Sequence, residues 1–191
     1  MNHATIRTFF AIELPVDIRR IIVNTLDNLN LYSSKSIKWV SRDHLHITIK
    51  FIGEFNPEHT ELLKKKIQQE FVNCQPFSIH LSQFGFFPNQ KNPKVLWLGA
   101  QDSGKIHQLA KIIEDTASIF GYPQENKPFH PHITLGRIRH TLSANDIDVL
   151  STCLKSNNLD NVQVFIKEVV FNKSDLKRTG PEYKKLFSVM L

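Results

Sequence analysis

The stretch HITIK begins at His46 and HITLG begins at His132, so one short chain writes a His-Ile-Thr-aliphatic word twice. Both words are β-branched and strand-like, and side chains two apart on a strand share a face. His46 and Thr48 therefore point one way, with Ile47, Ile49 and Phe51 expected to point the other way into a core. In the second copy His132 and Thr134 share a face, backed by Ile133 and Leu135. Histidine titrates near pH 6.5, so of two imidazoles one can stay neutral while the other is charged. The neutral ring takes a proton from water, and the charged ring gives one to a leaving oxygen. Threonine hydroxyls donate hydrogen bonds to anionic oxygens without adding charge. This set suits in-line displacement at phosphorus, best on a strained cyclic phosphate, with no metal or other cofactor.

Two readings compete with that one. His44 with His46, and His130 with His132, make two HxH pairs that would suit a histidine-rich metal-binding protein. No acidic residue or cysteine recurs with them, however, and a metal would leave both threonines idle. A non-catalytic module that binds RNA ends is the second alternative. A lone HxT is usually just a half-exposed strand, and it is the repetition that argues for chemistry.

The elements that must position these residues form an α+β pattern. The run 6–12 reads as a strand, and Pro15 then opens a helix with Ile18, Ile21, Ile22, Leu26 and Leu29 turned inward as far as Asn30. IKWV and LHITIKFI read as strands. Residues 57–71 read as a helix burying Leu62, Leu63, Ile67 and Phe71. FSIHLSQFGFF and KVLWLGA are strands around a Pro- and Asn-containing loop. Ser103 is expected to cap a helix whose stripe is Ile106, Leu109, Ala110, Ile113, Ala117 and Phe120. FHPHITLGRI is a strand, and Ser143 with Asp146 reads as a capping box for a helix to about Lys155. VQVFIKEVVFNKS and KKLFSVML close the chain as strands. The order β-α-β-β-α-β-β-α-β-α-β-β places each word in a different half, so two facing halves would bring both to one cleft.

Bulk properties agree with a globular, anion-seeking protein. The 191 residues are 41% hydrophobic and 22% charged, enough for a real core, and the formal net charge is +6. That balance favours nucleic acid, phosphate esters or acidic membranes as partners. Cys74 and Cys153 read as reduced thiols, which points to a cytoplasmic setting. The apolar run from Phe9 to Ile12 is too short for a signal-peptide core, and no stretch approaches a membrane span.

Two His-x-Thr-x words at this interval strongly resemble the signature of the 2H phosphoesterase superfamily. Within it the chain is similar to the RNA 2′,3′-cyclic phosphodiesterases, also called 2′-5′ RNA ligases. RTFFAIELP, IKWVSRDHLHITIKFIGE, VLWLGA, HPHITLGRI and the tail from Val169 carry the likeness over nearly the whole chain. The resemblance implies a bilobal α+β fold, two antiparallel sheets flanked by helices with a central cleft. Residues 1–191 would be a single domain of two pseudo-symmetric lobes, one motif in each. It further implies metal-independent hydrolysis of a 2′,3′-cyclic phosphate to a 2′-phosphomonoester, with 2′-5′ ligation as the reverse chemistry. His46 would be the acid and His132 the base, with Thr48, Thr134 and Arg137 holding phosphate oxygens. The implied partner is RNA with a 2′,3′-cyclic phosphate end, tRNA fragments included, or a cyclic nucleotide; no membrane is involved, and the protein would act as a monomer.

Strict alternation puts Arg137 on the face opposite His132, so its role requires a bend or bulge at Gly136. Lys50 shares the parity of His46 and is expected either near the phosphate or in solvent. Trp39, Phe86 and Phe87 are candidates for stacking a terminal base. His130 is expected to support its strand. Arg178, Lys184 and Lys185 make the last hairpin basic, either an RNA track or a solvated edge.

Overall fold

The structure, a computed structural model, describes residues 4–33, 35–156, 159–178 and 180–191, with the side chains of 29–33 outside that description. The inward turn expected of Leu29 therefore lies outside the described residues. In chain order the elements are β1 (Ile6–Glu13), α1 (Val16–Ser33), β2 (Ile37–Trp39), β3 (His46–Phe55), α2 (Thr60–Glu70), β4 (Phe77–Phe87), β5 (Val95–Gln101), α3 (Lys105–Ile119), β6 (His132–Ile138), α4 (Ala144–Ser156), β7 (Gln163–Ile166), β8 (Glu168–Lys177) and β9 (Gly180–Met190). One expected strand, VQVFIKEVVFNKS, is in fact two. β7 pairs with β4 while β8 pairs with β1, so the chain changes neighbours at Lys167 and the ladder breaks there.

All the strand pairings are antiparallel, and the sheet order is β7-β4-β5-β6-β3-β1-β8-β9, with β2 also on β6. The two sheets expected from the resemblance are the halves of this curled sheet. They meet where β3 faces β6, and the only matched pair there is Ile47 with Ile133. Beyond that bridge β2 takes over the edge of β6, pairing Ile37, Lys38 and Trp39 with Ile138, Arg137 and Gly136. The two motif strands thus touch at the isoleucine between histidine and threonine and diverge from there. That one contact sets the cleft.

Helices cover the faces away from the cleft, α1 against α4 and α2 against α3. α3 buries Ile106, Leu109, Ala110, Ile113 and Ala117 as its spacing dictates, each large aliphatic contributing about 1.5–3 kcal/mol. Its N-cap position is Gly104 rather than Ser103, and the Asp102 carboxylate accepts from the Gly104 and Ile106 amides, at 3.1 Å each. The α4 capping box is present, with the Ser143 amide donating to Asp146 (3.0 Å) and the Asp146 amide to the Ser143 hydroxyl (3.1 Å). Two expected core residues face water, Ile21 at 38% and Leu62 at 60% exposure. Each is adjacent to a buried residue, Ile22 or Leu63, and neighbours 100° apart cannot both sit at the centre of one helical face.

Candidate functional site

Register decides which way each motif residue points. Along β3, Phe10 opposes Lys50 and Ala11 opposes Thr48, so Ile49 is an extra residue. Along β6, Leu96 opposes Gly136 and Trp97 opposes Thr134, so Leu135 is the extra residue. Both motif strands therefore carry a bulge at the fourth position of the word, and a bulge inverts the alternation that follows it. In β6 this makes Leu135 and Gly136 consecutive buried residues and returns Arg137 to the face of His132 and Thr134. A Cβ on Gly136 would lie 2.6 Å from Ile37 Cγ2 and 3.2 Å from Trp39 Cε3, so the close approach of β2 requires glycine there.

The same inversion in β3 overturns two expectations. Phe51 is not core: it is 48% exposed and lines the cleft. Lys50 is neither at the phosphate position nor in solvent. It is 2% exposed, and its ammonium donates to Glu114 (2.6 Å) and to the Pro123 carbonyl (2.9 Å), tying β3 to α3 and the loop beyond. Phe51 and Arg137 are thus counterparts, each five residues after a motif histidine and each swung into the cleft by a bulge.

His46, Thr48, His132, Thr134 and Arg137 line one cavity of about 510 Å³, a volume suited to a nucleotide. The histidines are held identically. His46 Nδ1 donates to the His44 carbonyl at 2.6 Å, and His132 Nδ1 donates to the His130 carbonyl at 2.6 Å. Each ring therefore offers Nε2 for chemistry, and Thr48 donates its hydroxyl to His46 Nε2 at 3.1 Å. The first residue of each HxH pair thus supports through its carbonyl. Its own ring packs on the aromatic that flanks the motif histidine: His44, which also lines the cavity, lies 4.7 Å from the Tyr183 ring and His130 lies 6.3 Å from Phe87. Among the described residues no group of three or more His, Cys, Asp or Glu is placed to hold a metal ion.

Both imidazoles sit in aromatic slots. His46 lies between Phe9 (5.1 Å) and the edge of Tyr183 (5.4 Å), and His132 lies beside Phe87 (5.0 Å) and Trp97 (6.3 Å). Burial there disfavours the charged form. It holds His46 down to about 4 against the partial support of the His44 carbonyl, with the neighbouring His44 and His132 charges lowering it further. His132 is lowered too, first by burial.

Of the stacking candidates, Trp39 and Phe87 line the cavity, whereas Phe86 is half-buried against the core. In the basic hairpin Lys177 meets Glu182 at 2.6 Å, and Lys185 approaches Glu13 of β1 at 4.0 Å. Two aromatic residues of the cavity, Phe51 and Tyr183, escaped sequence reasoning. Phe51 was signalled by its match to Arg137, since a bulge invoked for one copy of the word applies to the other. Tyr183 comes from the hairpin end that folds over His46, and no local pattern marks it.

An imidazole and a hydroxyl on each of two strands that meet at one bridge of a curled antiparallel sheet define a two-histidine phosphoesterase scaffold. The chain belongs to the 2'-5' RNA ligase superfamily, whose family model matches residues 15–177. It is 30% identical to the RNA 2',3'-cyclic phosphodiesterase of Methanocaldococcus jannaschii, over 93% of this chain and 96% of that one. It is 34% identical to the enzyme of the same name from Escherichia coli, over 69% and 71% of the two chains. The crystal structure of E. coli LigT complexed with 3'-AMP superposes with a TM-score of 0.78 at 26% identity, covering 98% of each chain.

Proposed function

We propose that this chain hydrolyses RNA 2′,3′-cyclic phosphate ends to 2′-phosphomonoesters by metal-independent acid/base catalysis, with 2′-5′ ligation as the same displacement run in reverse. The observation that carries this reading is the pair of Nε2 atoms, each fixed by a backbone carbonyl, presented to one cavity with two threonines and Arg137. Relatives named for this activity span nearly the whole chain. His46 protonates the leaving 3′ oxygen and His132 activates the attacking water. Thr48, Thr134 and Arg137 hold non-bridging oxygens, and the guanidinium favours the anionic transition state. Phe51, Trp39 and Phe87 offer aromatic surface for the terminal base.

Burial keeps both imidazoles neutral near pH 7 in the protein alone, whereas general acid catalysis needs one charged. An anionic phosphate between them favours the charged form, so substrate and proton enter together. The equivalent bulges support an organisation in two pseudo-symmetric lobes within a single domain. The reading includes action as a monomer, and the two free thiols suit the cytoplasm. RNA fragments with cyclic ends, tRNA pieces among them, are the partners this assigns. The deciding experiment is incubation of chelator-treated protein with an oligonucleotide ending in a 2′,3′-cyclic phosphate, the product read by phosphorus NMR. A 2′-phosphate is expected; a 3′-phosphate or an unchanged ring would overturn the reading.

A further inference from the structure

β2 brings the cavity a positive charge that the two-histidine chemistry does not use. Lys38 stands directly opposite Arg137 in the pairing of β2 with β6, and both side chains line the cavity. Residues opposed across antiparallel strands hold their Cβ atoms about 5 Å apart on one face, and like charges placed so repel. Among the described residues Glu182 alone brings a carboxylate to the lining, and Lys177 of the same hairpin meets it at 2.6 Å. The two cations therefore face the cavity with no free counter-ion on its wall. Such a pair costs stability until an anion settles against both. On its other side Arg137 pairs with Val95 of β5, which is apolar, so the positive charge extends toward β2.

We infer that Lys38 holds a second phosphate of the substrate, the one carried on the 5′ carbon of the terminal nucleoside, and so selects polynucleotide ends over free cyclic nucleosides. The assignment rests on the activity proposed above, which seats the reacting phosphate at Arg137. In RNA the next phosphate upstream hangs from the same ribose, so a single sugar spans two neighbouring side chains. The division of labour follows from their chemistry. The planar guanidinium forks onto the oxygens of the group that reacts, where geometry matters. The ammonium is a point charge on a flexible stem, suited to a phosphodiester that is held but not transformed. Lys38 makes and breaks no bond, and its position on the exposed part of the wall leaves the upstream chain free to run out into solvent.

The test compares steady-state hydrolysis of adenosine 2′,3′-cyclic phosphate, free at its 5′ hydroxyl, with that of the same molecule bearing a 5′-phosphate. The full chain should show a kcat/KM roughly tenfold higher on the 5′-phosphorylated substrate. Lys38→Ala should remove most of that preference, Lys38→Glu should reverse it and Lys38→Arg should keep it. Lys65→Ala, an exposed change on α2, should leave the preference intact. On a short oligonucleotide with a cyclic end, Lys38→Ala should also flatten the slope of log kcat/KM against log salt by about one. A wild-type protein indifferent to the 5′-phosphate overturns the inference. So does a Lys38→Ala protein slowed equally on both substrates, which would make Lys38 an aid to Arg137 at the reacting phosphate. A wild-type protein that opens neither ring would instead remove the activity itself, and the role of Lys38 with it.

Discussion

A carbonyl two residues back decides which nitrogen each imidazole offers. Because Nδ1–H is spent on the backbone, both Nε2 lone pairs face the cavity, and the rings cannot turn without losing a 2.6 Å hydrogen bond. Replacing either histidine with alanine should lower the rate roughly 10²–10⁴-fold. Thr48→Val or Thr134→Val should cost less, since each removes one neutral hydrogen bond; steady-state rates on a cyclic mononucleotide decide. The depressed histidines also fix a pH signature. The profile of kcat/KM reports the free protein, where His46 titrates near 4 and His132 also lies below its ordinary value, so its optimum should sit on the acid side of pH 6.5. The kcat profile reports the complex, where the phosphate anion raises both groups. It should therefore lie at higher pH than kcat/KM, and coincident profiles would show that substrate brings no proton with it.

At the scale of elements, two extra residues do what alternation alone cannot. The bulges at Ile49 and Leu135 reverse the faces downstream of each word, so Phe51 and Arg137 join the cleft while Lys50 goes under the sheet. Gly136 makes the second bulge compatible with β2. Gly136→Ala forces a Cβ against Ile37 and Trp39, which should destabilise the fold by about 1–3 kcal/mol and pull Arg137 out of register. Denaturant unfolding should show the loss, and activity should fall more than Arg137→Lys alone lowers it. Phe51→Ala should raise KM for base-bearing substrates more than it lowers kcat, because the ring is exposed in the cleft and carries no proton.

The whole molecule bears the cost of holding imidazoles neutral and a lysine buried. Below pH 6.5 the unfolded chain binds protons that the folded His46 refuses until about pH 4. Stability is therefore complete above 6.5 and lost on acidification, by up to about 3 kcal/mol from His46, with His132 adding in the same direction. Denaturation midpoints at pH 7 and pH 4.5 should differ accordingly, and His46→Gln should flatten the difference. The Lys50–Glu114 pair spans β3 and α3 with the lysine wholly enclosed. Lys50→Ala should cost about 3–5 kcal/mol by leaving Glu114 without its counter-ion. The double change Lys50→Met, Glu114→Gln should recover much of that loss.

Much of the chemistry was legible because the histidine, the threonine and their two-residue spacing are local properties of an extended chain. The capping box at Ser143 and the α3 stripe were legible for the same reason, each being a pattern within one or two turns. Likeness to a known signature carried the expectation further, to Arg137 and a bulge. What the chain could not declare was everything set by a neighbouring strand. Lys50 reads as a solvated or site lysine until the partner register inverts its face, and Phe51 reads as core for the same reason. Tyr183 joins His46 only because the last hairpin folds beside β1, and one strand was read across Lys167 because its two halves pair with distant partners. Residue types and spacing determined the reactive groups. The tertiary structure decided which of them meet, because strand faces depend on register and register is a property of pairs.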